Sequence, residues 1–126
     1  MRLLSLINWR VEVSELRKEL GKISSIYFGL GGYQDACIGL NVSLSFNSSG
    51  VNDNKTAWDK NIIKCDDHCK WTEKDRSDQY AEIVSYVSDL LSQANKRKVE
   101  DLVGTPVEVM FDGMQLKSWR ILTEVI

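Results

Sequence analysis

From Ile38 to Phe46 every second residue is apolar: Ile38, Leu40, Val42, Leu44 and Phe46 alternate with Gly39, Asn41, Ser43 and Ser45. A period of two puts the two sets on opposite sides of an extended chain, which makes this stretch a strand with one greasy face. Such a face must be covered by a second layer, whereas the small polar face is free to meet water, as in one-sided antiparallel sheets. The chain is therefore expected to be a sheet with something laid across it.

The cover is written further along. Tyr80, Ile83, Val84, Val87, Leu90, Leu91 and Ala94 recur at spacings of three and four, one apolar stripe of a helix. Thr72 is a good N-cap, Glu73 and Asp75 suit the positive end of the helix dipole, and Lys96, Arg97 and Lys98 suit the negative end. Burying the six larger side chains contributes roughly 9–18 kcal/mol of gross transfer energy at about 1.5–3 each, before chain entropy is subtracted. A short turn over Val99–Val103 is expected to end at Gly104.

Two further strand signals flank these elements. Between Lys22 and Leu30 the residues Ile26, Phe28 and Leu30 share one parity, opposed by Ser25, Tyr27 and Gly29, and Gly31-Gly32 breaks the run. Near the end, Val107, Val109 and Phe111 alternate with Glu108 and Met110 after Pro106. Asp112-Gly113 reads as the central pair of a two-residue turn, with Gln115 to Ile126 returning as partner strand. The expected fold is α+β: a four-stranded antiparallel sheet, ordered strand-strand-helix-strand-strand, with one long helix on one face, as a single domain over 22–126. The turn-rich Asn47–Asn54 reads as a mobile polar loop. Residues 1–21 read as an apolar arm (Leu3, Leu4, Leu6, Ile7, Trp9) and a short helix that Ser14 caps and Gly21 ends after Leu20. That arm packs on its own domain or on a second copy, so a homo-oligomer is expected as one of two outcomes.

Composition closes off several classes. In 126 residues, 43% are hydrophobic and 27% charged, and 16 basic against 18 acidic side chains leave a net charge of −2. Proteins that track nucleic-acid backbones carry a basic excess, so general nucleic-acid binding is not expected. The apolar run at the N-terminus is too short for a secretory core, and no stretch approaches the roughly 18 apolar residues of a membrane span. With three cysteines and no export signal, a cytoplasmic setting without membrane partners is expected.

Three segments carry a resemblance: Tyr27-Phe28-Gly29-Leu30-Gly31-Gly32-Tyr33-Gln34-Asp35-Ala36; Cys69-Lys70-Trp71-Thr72-Glu73-Lys74-Asp75-Arg76; and Gly104-Thr105-Pro106-Val107-Glu108-Val109 with Leu116-Lys117-Ser118-Trp119-Arg120-Ile121-Leu122-Thr123-Glu124-Val125. Together they resemble a family of small accessory proteins of tailed bacteriophages and prophages, from about Lys22 to the C-terminus. The resemblance implies a viral origin and a host bacterial cytoplasm, and brings neither a settled activity nor catalytic residues. Small phage accessory proteins often block host defence, by binding an immune protein or by sequestering a nucleotide signal, and that analogy serves as a prior.

The candidate site residues are then weighed on chemistry. Gly29-Leu30-Gly31-Gly32 lies between two strands, so it lacks the helix start that a phosphate-binding glycine loop needs; as a turn it still presents Tyr33, Gln34 and Asp35. Trp58 and Trp71 flank the polar connection, as packing lids or stacking surfaces. Arg76, one turn into the helix, is within reach of Asp75 or a ligand phosphate. Arg120 falls on the sheet face opposite Trp119, beside Ser118, where the row Asn41, Ser43 and Ser45 can join it to bind phosphate and stack a base. Cys65, His68 and Cys69, with Cys37, are the residue types of a zinc site, but one cluster with adjacent His68 and Cys69 lacks the paired spacing such sites show. No catalytic residue and no cofactor is assigned. The leading expectation is a binding protein that inhibits host defence by sequestering a nucleotide; the alternatives are a protein–protein inhibitor and a small hydrolase using Asp35 or the Cys65–Cys69 loop.

Overall fold

A computed structural model describes residues 16–126; the apolar arm lies outside the described residues. Five strands form one antiparallel sheet: β1 (Leu16–Gly31), β2 (Cys37–Phe46), β3 (Ser49–Trp58), β4 (Pro106–Asp112) and β5 (Gln115–Ile121). Their spatial order is β3-β2-β1-β4-β5. One helix, α1 (Glu73–Ala94), joins the two halves and packs on the face that carries the β2 apolar row. The α+β reading holds; the strand count is five.

The extra strand is β3, which occupies most of the expected polar loop. Only Asn47 and Ser48 separate it from β2, and Asn47 takes a left-handed φ of 53° that a tight hairpin requires. β1 is also longer than its alternation indicates. Leu16–Leu20 are extended, not helical, because they pair with β4 from Leu16↔Asp112 to Lys22↔Pro106. The expected domain boundary at 21/22 thus falls inside a strand. From Lys22 onward β1 pairs with β2, and a bulge at Ser24, between Ile23 and Ser25, shifts the register.

Leu40, Val42 and Leu44 are almost wholly buried against Ile23, Val107 and Val109. The helix adds Leu90 and Ala94. Thr72 caps it as read, in a reciprocal box: Asp75 N–H donates to Thr72 Oγ1 at 3.1 Å, and Thr72 N–H to Asp75 Oδ2 at 2.8 Å. The helix ends at Ala94 with Asn95 in the left-handed conformation, so Lys96, Arg97 and Lys98 follow the last turn instead of lying in it. Val84, read as part of the stripe, is 64% exposed.

Two details of the C-terminal hairpin differ from the reading. Asp112 pairs with Gln115, so the central residues are Gly113 and Met114, with the positive φ on Gly113. Glycine at the first central position is the II′ pattern. The return strand stops at Ile121 and gives way to a 3₁₀ turn over Thr123–Val125 that leaves Val125 exposed.

The sheet is curled. Its edge strands β3 and β5 lie four spacings apart, roughly 19 Å if flat. Yet Trp119 Nε1 on β5 donates to Asp53 Oδ2 on β3 at 2.7 Å. Side chains span that distance only if the sheet rolls around its apolar face, and Tyr86 of α1 lies close enough to feel the Asp53 charge.

Candidate functional site

The curl and the helix leave a groove at one end of the sheet. It holds about 280 Å³ and is lined by Phe28, Ile38, Asp59, Lys60, Tyr80, Ile83 and Val84. Phe28 of β1 and Ile38 of β2 share the helix-facing side, because Phe28 pairs with Leu40 and Leu30 with Ile38. Tyr80, Ile83 and Val84 supply the helix wall. The lining is almost wholly apolar, and Phe28 stays 50% exposed beside Leu30 at 49%.

The third wall is fixed by Tyr80. Its hydroxyl donates to the Trp58 carbonyl at 3.1 Å and accepts from Lys60 N–H at 3.0 Å. Asp59 N–H donates to the Ala36 carbonyl at 2.8 Å, and Asp59 Oδ2 accepts from Asn61 N–H at 3.0 Å. The end of β3, the turn before β2 and the helix are thereby tied around one opening.

Tyr33, Gln34 and Asp35 form a 3₁₀ turn beside this opening. Gln34 and Asp35 both have left-handed φ, 52° and 55°, and Tyr33 is 71% exposed. Non-glycine residues held this way cost about 1–3 kcal/mol each and cluster where a loop serves a surface role. Trp58 pairs with Cys37, so alternation turns its side chain to the sheet face opposite Ala57 and Ile38. Of the seven candidate residues these four lie at this end of the sheet, and none of them lines the groove.

The other three do not join them. Arg76 is 2% exposed: Nη2 donates to the Ile63 carbonyl at 2.7 Å and pairs with Glu73 at 3.3 Å, and the guanidinium carbon lies 4.6 Å from the Trp71 ring centroid. Nε and Nη1 have no hydrogen-bond partner. Arg76 and Trp71 thus clamp the 59–72 connection to the first helical turn, and neither Asp75 nor solvent is what the guanidinium meets. Arg120 does lie on the outer sheet face, since Arg120↔Glu108↔Leu20 share a side and Lys22↔Ser45 continues it. It is held there by Glu108 at 3.2 Å and by both oxygens of Glu124 at 3.0 Å. These carboxylates push the Arg120 pKa up, Glu124 first, and Arg120 in turn lowers that of Glu124.

The cysteine loop folds on itself. Cys65 Sγ donates to the Trp71 carbonyl at 3.1 Å, Asp66 N–H donates to Cys69 Sγ at 3.2 Å, and His68 N–H donates to Asp66 Oδ1 at 2.8 Å. A hydrogen bond with Cys69 pushes the Cys65 thiol up to about 11. Cys37 stands apart at the start of β2. Among the described residues, no group of three or more His, Cys, Asp or Glu side chains could hold a metal ion, and no helix is long and apolar enough to cross a membrane.

The groove residues themselves were legible only as core positions. Tyr80 and Ile83 belong to the helical stripe, and Phe28 and Ile38 to strand rows. What separates them from core is that α1 packs mainly on β3 and β2 and leaves Phe28 of β1 half exposed, which periodicity does not report. No family model matches the chain, and neither a curated protein nor a solved structure matches it.

Proposed function

We propose that this protein is a binding protein whose groove between α1 and the β1–β2 end receives an apolar side chain of a partner polypeptide. The carrying observation is the chemistry of the lining: Phe28, Ile38, Ile83 and Val84, with the Tyr80 hydroxyl already turned to the backbone of Trp58 and Lys60. Few convergent polar groups and a half-exposed aromatic suit an anchor residue of a protein ligand. The phage resemblance supplies the biological class, an accessory factor that inhibits a host defence protein.

A sequestered nucleotide is the second reading, favoured by Lys60 at the rim, which could meet a phosphate while a base lies on Phe28. Arg76 and Arg120 add little to it, since both are already engaged by carboxylates.

Selection from a displayed random-peptide library separates the two. The groove reading expects enriched sequences with one large apolar anchor, lost on Val84→Glu while the melting transition stays at the wild-type temperature. Binders indifferent to Val84→Glu, or no enrichment, remove it. A thermal shift with cyclic nucleotides that vanishes on Lys60→Ala would put the second reading first.

A further inference from the structure

β1 has two halves with different neighbours. Leu16–Lys22 pair with β4, and Lys22–Gly31 pair with β2. The last bonds on the β4 side are made by Ile23, whose N–H donates to the Thr105 carbonyl at 3.0 Å and whose carbonyl accepts from Gly104 N–H at 2.8 Å. Beyond Ile23 that side of the strand, from Ser25 to Gly31, is an open edge among the described residues. Ile23 turns its backbone groups to that side, Ser24 is the bulged extra residue, and alternation then turns those of Ile26, Phe28 and Leu30 the same way.

Open strand edges invite another chain, and proteins guard them with charge, proline or cover. The outer edges of this sheet are guarded: β3 carries Asp53 and Lys55, and β5 carries Lys117 and Arg120. The first half of β1 carries Arg17, Lys18 and Glu19. Among the described residues the open stretch has none of these devices. No residue from Ser24 to Gln34 is charged and none is proline. Tyr27 on one face and Phe28 and Leu30 on the other are each about half exposed, so large apolar groups flank the backbone on both sides, and the one side-chain bond to it is a long one from the Tyr27 hydroxyl to the Leu30 carbonyl at 3.4 Å.

We infer that this edge pairs with the same edge of a second copy, antiparallel, making one sheet continuous across a two-fold axis. An uncharged segment presents nothing that repels its own duplicate, and an isologous contact needs only one self-complementary patch. Centring the axis on Phe28 sets that residue against its counterpart and Ile26 across from Leu30, so all three outward-facing backbone positions are used at once. The open run of seven residues matches an ordinary strand length. The pairing would also set two grooves side by side, since Phe28 lines one in each copy. This inference is independent of what the groove binds.

The test is the mass in solution of the full chain between about 1 and 100 µM, a span that brackets a contact at the small end of specific interfaces. Light scattering after size exclusion is expected to give twice the 14.4 kDa chain mass at the upper end. Tyr27→Lys with Leu30→Lys places like charges on both sides of the axis and is expected to weaken the dimer at least tenfold. Leu20→Lys, on the same strand at a 67% exposed position outside the open run, leaves it intact. Amide exchange at Ile26, Phe28 and Leu30 slows with concentration in the wild-type chain, a readout that survives if the lysine variants misfold. A single-chain mass throughout, equal effects of the two sets of lysines, or concentration-independent exchange at those amides overturns the proposal.

Discussion

Asp53→Ala removes the acceptor that joins the two edge strands. The Trp119 Nε1–Asp53 Oδ2 bond is 2.7 Å long and has a charged acceptor. Hydrogen bonds to charged groups contribute about 1.5–3 kcal/mol, and Trp119 is only partly buried, which places this one near the lower end. Trp119→Phe keeps an aromatic ring on the core and leaves the carboxylate without its donor, at a similar cost. If the bond is what holds the curl, the double variant loses far less than the sum, with a coupling energy of about 1–1.5 kcal/mol. Urea denaturation followed by far-ultraviolet circular dichroism reads these values, and the melting temperature should fall by about 5–10 °C for each single variant. Losses below about 0.5 kcal/mol for Asp53→Ala, or strictly additive losses, would mean that the sheet rolls without this clasp and that the curl is set by packing alone.

Three other outcomes follow from the same geometry. Thr72→Ala opens the capping box and should cost about 1 kcal/mol in urea denaturation. Burial first, and the Asp53 charge second, push the Tyr86 phenol up to about 12. An unfolded tyrosine titrates near 10, so between those values the unfolded chain has shed a proton that the folded chain retains. Stability is therefore unaffected below pH 10 and falls as pH rises towards 12. The loss is about 1 kcal/mol after discounting for the partial exposure of Tyr86, measured as the wild-type minus Tyr86→Phe difference in urea midpoint. At Gly39 an added Cβ would run into the Lys55 carbonyl oxygen with φ at 152°, so Gly39→Ala should cost about 3 kcal/mol. Gly29→Ala, whose nearest contact is 3.7 Å away on a side chain, should fold normally.

The parts of the fold that the sequence discloses are those where one residue's choice answers to one neighbour. β2 is legible because its buried face meets a core at each alternate residue, and α1 because Thr72 and Asp75 cap it locally. β3 is hidden because an edge strand need not alternate greasily: Val51 and Ala57 face inwards, but Asp53 and Lys55 between them turn to Trp119 and Glu82. The first half of β1 hides for a different reason. Ser14 and Gly21 imitate helix punctuation, and the partner that makes this half a strand, β4, lies far along the chain. For the site, Tyr33, Gln34, Asp35 and Trp58 are legible as strand-end positions through glycine and aromatic signals, and none of them lines the groove. Arg120 was placed on the correct face, but its engagement by Glu108 depends on cross-strand register, which periodicity cannot supply. Arg76 reads as reaching Asp75 or a ligand phosphate because its helix position is visible, whereas the Ile63 carbonyl that draws it inwards is not.

The split pairing of β1 also orders events during synthesis. Its second half can meet β2 as soon as the first hairpin leaves the ribosome, but Leu16 must wait for Asp112, about a hundred residues later. At about 5–20 residues per second that is roughly 5–20 s in which the first half has no partner strand. Arg17, Lys18 and Glu19 lie in that waiting stretch and keep it soluble. Stalling translation before Asp112 should therefore yield a nascent chain whose β1–β2–β3 meander resists protease while its leading residues are cut.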